Sequence, residues 1–395
     1  MTLINRMPGR AGWQLQALPP LSLYVHMPWC VRKCPYCDFN SHELRGDLPQ
    51  VDYVDALIAD VEHALPLVWG RRVHSVFFGG GTPSLFSPEQ IDRLLSALRA
   101  RLLLASDAEI TLEANPGTVE SERFRGYRHA GVNRLSMGVQ SFDRAMLQRL
   151  GRIHDDQDAR RAVDAALRWF DNVNLDLMYA LPGQTLAQAM QDLRVAIDAG
   201  TTHVSAYHLT LEPNTLFYRH PPTLPDDDLS ADMQESIESE LASTGFVHYE
   251  TSAFARPGHL ARHNLNYWQF GDYLGLGAGA HSKLSFHDRI IRLTRYRQPA
   301  QYLREARAGR AVDTEHQVAL GDLPFEFMMN ALRLVEGFEV PLFAERTGLQ
   351  LATIEAGLGR AEALGLLERD HQRIRPSICG QRFLNDLLQL FLKES

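Results

Sequence analysis

Long apolar runs are missing from this chain: no stretch approaches the roughly 20 apolar residues that a membrane-spanning helix needs. Residues Met1 to Pro20 lack the apolar core of an export signal, so a cytoplasmic location is the expectation. Cysteine is scarce. Four in 395 residues, unevenly spread, do not make a disulfide framework, and they point to a reducing compartment. Excess positive charge is absent as well. Forty Lys and Arg against 48 Asp and Glu give a formal charge of −8, which argues against a nucleic-acid partner, because phosphate binding rests on clustered cations. What remains is ordinary globular composition, 45% hydrophobic and 22% charged, at a length that suits one large domain and a smaller one.

Three of the four cysteines fall in one loop, Cys30-x3-Cys34-x2-Cys37, directly after the apolar run containing Leu21, Leu23, Tyr24 and Val25. Thiolates are soft ligands that select iron–sulfur clusters, zinc or Cu(I) over hard cations. Three of them can hold three metals of a four-iron cluster and leave the fourth open, whereas structural zinc wants a fourth protein ligand. His26 and His42 flank the loop, so a zinc Cys3His site stays open at this point. Cys379 lies far along the chain and reads as an inert core thiol.

From Pro20 the sequence alternates short β-branched or aromatic runs with amphipathic helical stretches. Strands are predicted at 22–26, 73–78, 108–113, 133–137, 173–178 and 203–208, and helices near 52–68, 88–104, 119–130, 157–170 and 185–199. Six βα units of this kind suit an α/β fold with a parallel sheet, an open or partial (β/α)6 barrel whose chemistry sits on loops at the C-terminal strand ends. The expected organisation is an irregular extension over 1–18, the partial barrel over 19–210, a less regular segment over 211–312, and a smaller, mainly helical, winged-helix-like unit over 313–395. Residues 351–395 carry six Lys and Arg against six Asp and Glu, which favours an interaction or lid module over a DNA-reading one.

Polar residues recur at the predicted strand ends. Gly79-Gly80-Gly81-Thr82-Pro83 follows the second strand, where glycines allow close approach of backbone and expose N–H groups to a polar ligand. Glu113 ends the third strand, Gln140 follows the fourth, and Asp176 sits inside the apolar run Asn174-Leu175-Asp176-Leu177-Met178. A carboxylate among such neighbours is expensive to bury unless it is paired or meets a ligand. Arg152 offers a cation to a ligand carboxylate. Repetition at successive strand ends makes one shared ligand the economical account.

The cysteine loop, the Gly-Gly-Gly-Thr-Pro run and Gln140 resemble the radical S-adenosylmethionine (SAM) superfamily, and residues 20–390 resemble its oxygen-independent coproporphyrinogen III oxidase group. The resemblance implies a [4Fe–4S] cluster on Cys30, Cys34 and Cys37, with SAM on the open iron. Tyr24, Gly80, Gly81, Thr82, Glu113, Gln140, Arg152 and Asp176 would then line the SAM pocket, and one electron from the cluster would cleave the sulfonium. Two departures from the oxidase stand out. Its loop ends in a further Cys-x-Cys step where this chain has Phe39, and here His263-Asn264-Leu265-Asn266-Tyr267-Trp268 is followed by Gly275-Leu276-Gly277-Ala278-Gly279-Ala280-His281. Both segments are similar to a haem-chaperone branch of the group. That branch implies haem as a further ligand, held through His263 with Tyr267 and Trp268 against the porphyrin face, and apo-haemoproteins as acceptors. Flavodoxin or ferredoxin is the expected reductant, and a homodimer is compatible with the sequence. The 275–279 glycines lack a dinucleotide-binding spacing and read as a tight passage closing over the SAM site. The alternatives are an anaerobic porphyrinogen decarboxylase and a zinc-stabilised adaptor.

Overall fold

Each of the six apolar runs is a strand in the computed structural model, which describes residues 12–118 and 121–392. They are β1 (Leu21–Met27), β2 (Arg72–Gly80), β3 (Leu103–Ala114), β4 (Arg134–Gln140), β5 (Val173–Tyr179) and β6 (His203–His208). All six run parallel and pair in sequence order. Almost every β1 residue is buried, as expected of a strand covered on both faces. Helices Gln50–Val68, Pro88–Arg101, Ser121–Ala130, Asp156–Trp169 and Leu186–Asp198 return the chain between strands. Their starts have local causes. Ser87 accepts the Gln90 N–H, and Asp155 with Asp158 and Thr185 with Gln188 form reciprocal capping boxes. The first eleven residues of the expected N-terminal extension lie outside the described residues.

The less regular segment belongs to the same sheet. Strands β7 (Val247–Glu250) and β8 (Ala253–Ala255) extend it antiparallel beyond β6, and β9 (Asp272–Leu276) lies parallel beside β1. Strands β10 (His281–Ser285), β11 (Ile290–Arg295) and β12 (Val312–Gln317) then continue antiparallel, giving twelve strands in the order β12-β11-β10-β9-β1-β2-β3-β4-β5-β6-β8-β7. The sheet therefore runs past residue 312. Strand β12 is solvated along nearly its whole length and carries no apolar alternation, which is how an edge strand escapes a hydrophobic-pattern reading.

Two buried ionic clusters pin this added sheet to the barrel. Asp60 on the first helix accepts bonds from Arg295 (3.2 Å) and the Tyr302 hydroxyl (2.9 Å). Asp272 takes Lys283 at 3.0 Å and Arg71 at 2.8 Å. Charges at this depth persist only because each has partners on several elements.

Residues 318–392 gather around a separate apolar cluster that includes Phe327, Phe338, Phe343, Ile374 and Leu387. Helices Leu323–Ala331, Val340–Thr347 and Glu355–Ala363 accompany a three-stranded sheet of Phe338–Glu339, Arg373–Pro376 and Leu367–Arg369. The unit ends in two short helices, Ile378–Arg382 and Leu384–Gln389, separated where Phe383 leaves helical backbone geometry. Cys379, read as a core thiol, is exposed on the first of them.

Candidate functional site

The C-terminal ends of the parallel strands open into one cavity of about 390 Å3. Cys30, Cys34, Cys37, Gly80, Gly81, Thr82, Glu113, Gln140, Arg152 and Asp176 all line it, so ten of the residues singled out in the sequence meet at one place. Tyr24 and His263 do not.

The cysteine loop is held at its base by a two-residue parallel pairing of Trp29–Cys30 with His42–Glu43. Lys33 donates to the carbonyls of Phe39 (3.1 Å) and Ser41 (3.3 Å), which curls the loop over itself. Burial pushes the Cys30 and Cys37 thiols up, with Thr82 and Ser41 hydroxyls opposing it. The Arg152 guanidinium reaches to 3.5 Å from Cys34 Sγ and donates to the Gly138 carbonyl at 2.7 Å. Among the described residues no three His, Cys, Asp or Glu side chains close on one point as a single ion requires. The three thiols instead fringe a cavity, which fits a cluster in which each thiolate takes its own iron.

The glycine run has a different role from the one its composition suggests. Gly81 donates to the Met27 carbonyl at 2.7 Å, Thr82 to the Trp29 carbonyl at 2.8 Å, and Gly80 to Glu113 Oε2 at 3.1 Å. These N–H groups are engaged within the protein. What glycine supplies here is closeness: a Cβ on Gly81 would stand 2.5 Å from the Trp29 carbonyl oxygen, and one on Gly80, at φ 111°, would strike the His26 ring. His26 donates from Nε2 to the Asn40 carbonyl (2.9 Å), and its Nδ1 faces the Tyr24 hydroxyl at 3.0 Å. Burial pushes its pKa down to about 4, so it stands neutral between strand and loop.

Glu113 and Asp176 are two buried carboxyls on one cavity. Burial and the nearby Asp176 charge raise Glu113 to about 8. Burial raises Asp176 too, and Asn174, Ser136 and Arg134 oppose it. Asn174 donates to Asp176 at 2.9 Å and to Ser136 at 2.8 Å, while Ser136 donates to Asp176 at 3.2 Å. Arg134, 2% exposed, lines the cavity beneath them. Ser136, Asn174 and Arg134 were not among the expected site residues. Their signal was a period-two polar series on strands otherwise apolar, Arg134-Ser136-Gly138-Gln140 and Asn174-Asp176.

Gln140 is held at φ 70°, beside a register shift that ends β4. Such strain in a non-glycine residue persists only where the surroundings enforce it. Asp192, on the helix after β5, does so by accepting the Ser141 hydroxyl and the Phe142 N–H, both at 2.6 Å. Asp192→Ala leaves both donors unsatisfied, and a loss of about 1–3 kcal/mol in urea unfolding is expected. An unchanged midpoint would show that the corner holds without it.

Tyr24 stacks on Phe77, which does line the cavity, and so supports the wall from behind. His263 is 8% exposed; its Nδ1 lies 3.0 Å from the Ser75 hydroxyl and its ring 5.0 Å from that of Phe77. The helix that carries it, Arg262–Trp268, begins where Glu109 accepts the N–H groups of Arg262 and His263, each at 3.0 Å. The 275–279 passage is likewise absent from the cavity lining. Asn40 donates to the Ala278 carbonyl at 3.0 Å, and a Cβ on Gly279 would collide with that asparagine, so the passage buttresses the cysteine loop rather than closing over the site.

Three thiols on the loop after the first parallel strand, facing carboxyls on the third and fifth, define a radical SAM protein. Residues 24–196 match the Radical SAM superfamily and residues 318–383 the HemN C-terminal domain. The chain is 51% identical to the heme chaperone HemW of Escherichia coli over 95% of its own length and 99% of the relative's, and 47% identical to that of Haemophilus influenzae over the same shares. Among solved structures, the one described as "Coproporphyrinogen III oxidase (HemN) from Escherichia coli is a Radical SAM enzyme" superposes with a TM-score of 0.80 at 25% identity, over 95% of this chain and 90% of that one. This chain belongs to the heme chaperone HemW family of radical SAM proteins. Its radical SAM domain implies a [4Fe–4S] cluster and SAM as cofactors. No helix among the described residues is long and apolar enough to cross a membrane.

Proposed function

We propose that this protein is a cytoplasmic haem carrier that delivers haem to apo-haemoproteins, with the cluster and SAM serving assembly or transfer. In this reading Cys30, Cys34 and Cys37 hold the cluster. Gly80, Gly81, Thr82, Glu113, Gln140, Arg152 and Asp176 surround SAM, with Tyr24 fixing the wall behind them. The bound cluster supplies the electron for sulfonium cleavage, and a flavodoxin or ferredoxin would replenish it. The chain's own part is to orient SAM between two carboxyls and two arginines and to keep water from it. The observation that carries the reading is the convergence of those residues on one cavity, joined to a chain similar over nearly its whole length to proteins named as haem chaperones.

The competing activity is decarboxylation of coproporphyrinogen III. At the position of the oxidase's further cysteine stands Phe39, 61% exposed at the cavity mouth, where it offers no ligand. The test is anaerobic incubation of cluster-reconstituted protein with coproporphyrinogen III, SAM and a strong reductant, alongside transfer of bound haem to an apo-haemoprotein followed by its absorption spectrum. Haem transfer without protoporphyrinogen is the expected result. Robust turnover, or no haem uptake at all, would overturn the carrier reading.

A further inference from the structure

The segment His263 to Trp268 faces two different spaces. Asn264 reaches the SAM cavity from beneath, and His263 is walled in beside it by Ser75 and Phe77. Asn266 donates to the Ser22 hydroxyl at 2.9 Å and the Asp272 carbonyl at 3.0 Å, which locks the helix to β1 and β9. Tyr267 and Trp268 look the other way. They line a second cavity, of about 450 Å3, between the added strands β9 to β11 and helix Leu323–Ala331 of the C-terminal unit.

We propose that this outer cleft, and not His263, is the seat of the haem, with Met329 as the iron ligand and Arg333 as a partner for a propionate. The proposal rests on the carrier reading above and adds where the cargo sits. Three features of the cleft match a flat, apolar macrocycle that carries carboxylates. Its wall is aromatic: the Tyr267 ring lies 4.7 Å from that of Tyr273 at 30°, and 5.4 Å from that of Trp268, edge-on. Its cations are placed for anions. The Arg333 guanidinium stands 5.1 Å from the Trp268 ring centre, with the charge of the buried Glu250 carboxyl as its acidic neighbour. Arg292, at the opposite side, is already satisfied by Glu326 (2.6 Å) and the Tyr273 hydroxyl (2.9 Å), so Arg333 is the one placed to take a carboxylate. Its third feature is a soft donor, Met329, which is 36% exposed and faces the same space. A thioether is an established type of axial haem ligand.

His263 fits that role poorly. Its ring is packed between those of Tyr24 and Phe77, 6.5 and 5.0 Å away, in the floor of the barrel, so a macrocycle brought to it would have to part that packing. The outer cleft needs no such opening, and an accessible seat suits a protein whose cargo must leave again.

The test is titration of ferrous and ferric haem into the full-length protein, read by Soret absorbance, for the wild type and three variants. Arg333→Gln should weaken affinity about tenfold, the scale of one charge-assisted hydrogen bond. Met329→Leu should change the ferrous spectrum, because the axial donor is lost, while circular dichroism stays that of the wild type. His263→Gln, which keeps a polar group beside Ser75, should bind within about twofold of wild type. Haem binding that survives both cleft variants unchanged overturns the site, whether or not His263→Gln abolishes it. A wild-type protein that takes up no haem overturns the carrier reading itself, which is a separate and recognisable result.

Discussion

Cys34→Ala protein, reconstituted anaerobically with iron and sulfide, should retain less than about a tenth of the wild-type iron and lose its brown absorption. Loss of a group that merely orients a metal ligand costs about 10–100-fold in metal affinity, and loss of the ligand itself costs at least as much. Cys34 is the most consequential of the three to remove. Its sulfur is the one that the Arg152 guanidinium approaches, at 3.5 Å, so the variant also removes a partner from a guanidinium whose Nε already lacks one. Two comparisons give the measurement its meaning. Ser41→Ala removes only the hydroxyl 3.6 Å from Cys37 Sγ and should weaken the cluster without abolishing it. Cys379→Ala removes an exposed thiol remote from the cavity and should leave iron content unchanged. Metal analysis of the wild type settles the zinc alternative in the same experiment: about four iron per chain supports the cluster, and one zinc per chain refutes it.

How much of this was readable before the structure depended on what each residue answers to. The six parallel strands were plain because burial on both faces demands apolar runs, and Leu21 to Met27 supplies one without interruption. The cavity residues were plain for the opposite reason: a carboxylate such as Asp176 has no cheap place among apolar neighbours unless something there uses it. The edge strand Val312–Gln317 was not readable, since nothing along it alternates. The glycine run was found for a sound reason with the wrong physics attached, because sequence shows that backbone can come close but not which partner it meets. Gly81 meets the carbonyls of Met27 and Trp29, which lie in the first strand and the loop after it. His263 shows the limit most clearly. An imidazole beside two aromatics reads as a ligand, but helix geometry leaves position 263 buried against Ser75 and Phe77 while 264 reaches one cavity and 267 another, and sequence does not show which of these faces meets open space.

The affinity for SAM should rise with pH below 8, by at most about tenfold per unit and only down to the lower value that Glu113 takes in the complex, and level off above 8. The sign follows from Glu113. In the free protein its carboxyl titrates at about 8, raised by burial and by the neighbouring Asp176, so near neutrality it is mostly protonated. A sulfonium is cationic and favours the carboxylate, which places the value in the complex below 8. Between the two values binding expels one proton, and each unit of falling pH makes that expulsion tenfold harder. The proton belongs on Glu113 rather than on Asp176, because Asp176 accepts bonds from both Asn174 and Ser136 and lies near Arg134, whereas Glu113 has the Gly80 N–H. Equilibrium binding at pH 6, 7, 8 and 9 checks this, with Glu113→Gln as the control. That variant carries no proton to expel, so its affinity should be lower at pH 9 and its profile shallower by one proton, which also separates Glu113 from any proton lost by the SAM amino group on meeting iron. Parallel profiles for the two proteins would place the titrating group elsewhere, and a flat wild-type profile would mean that the ligand does not distinguish the two forms of Glu113.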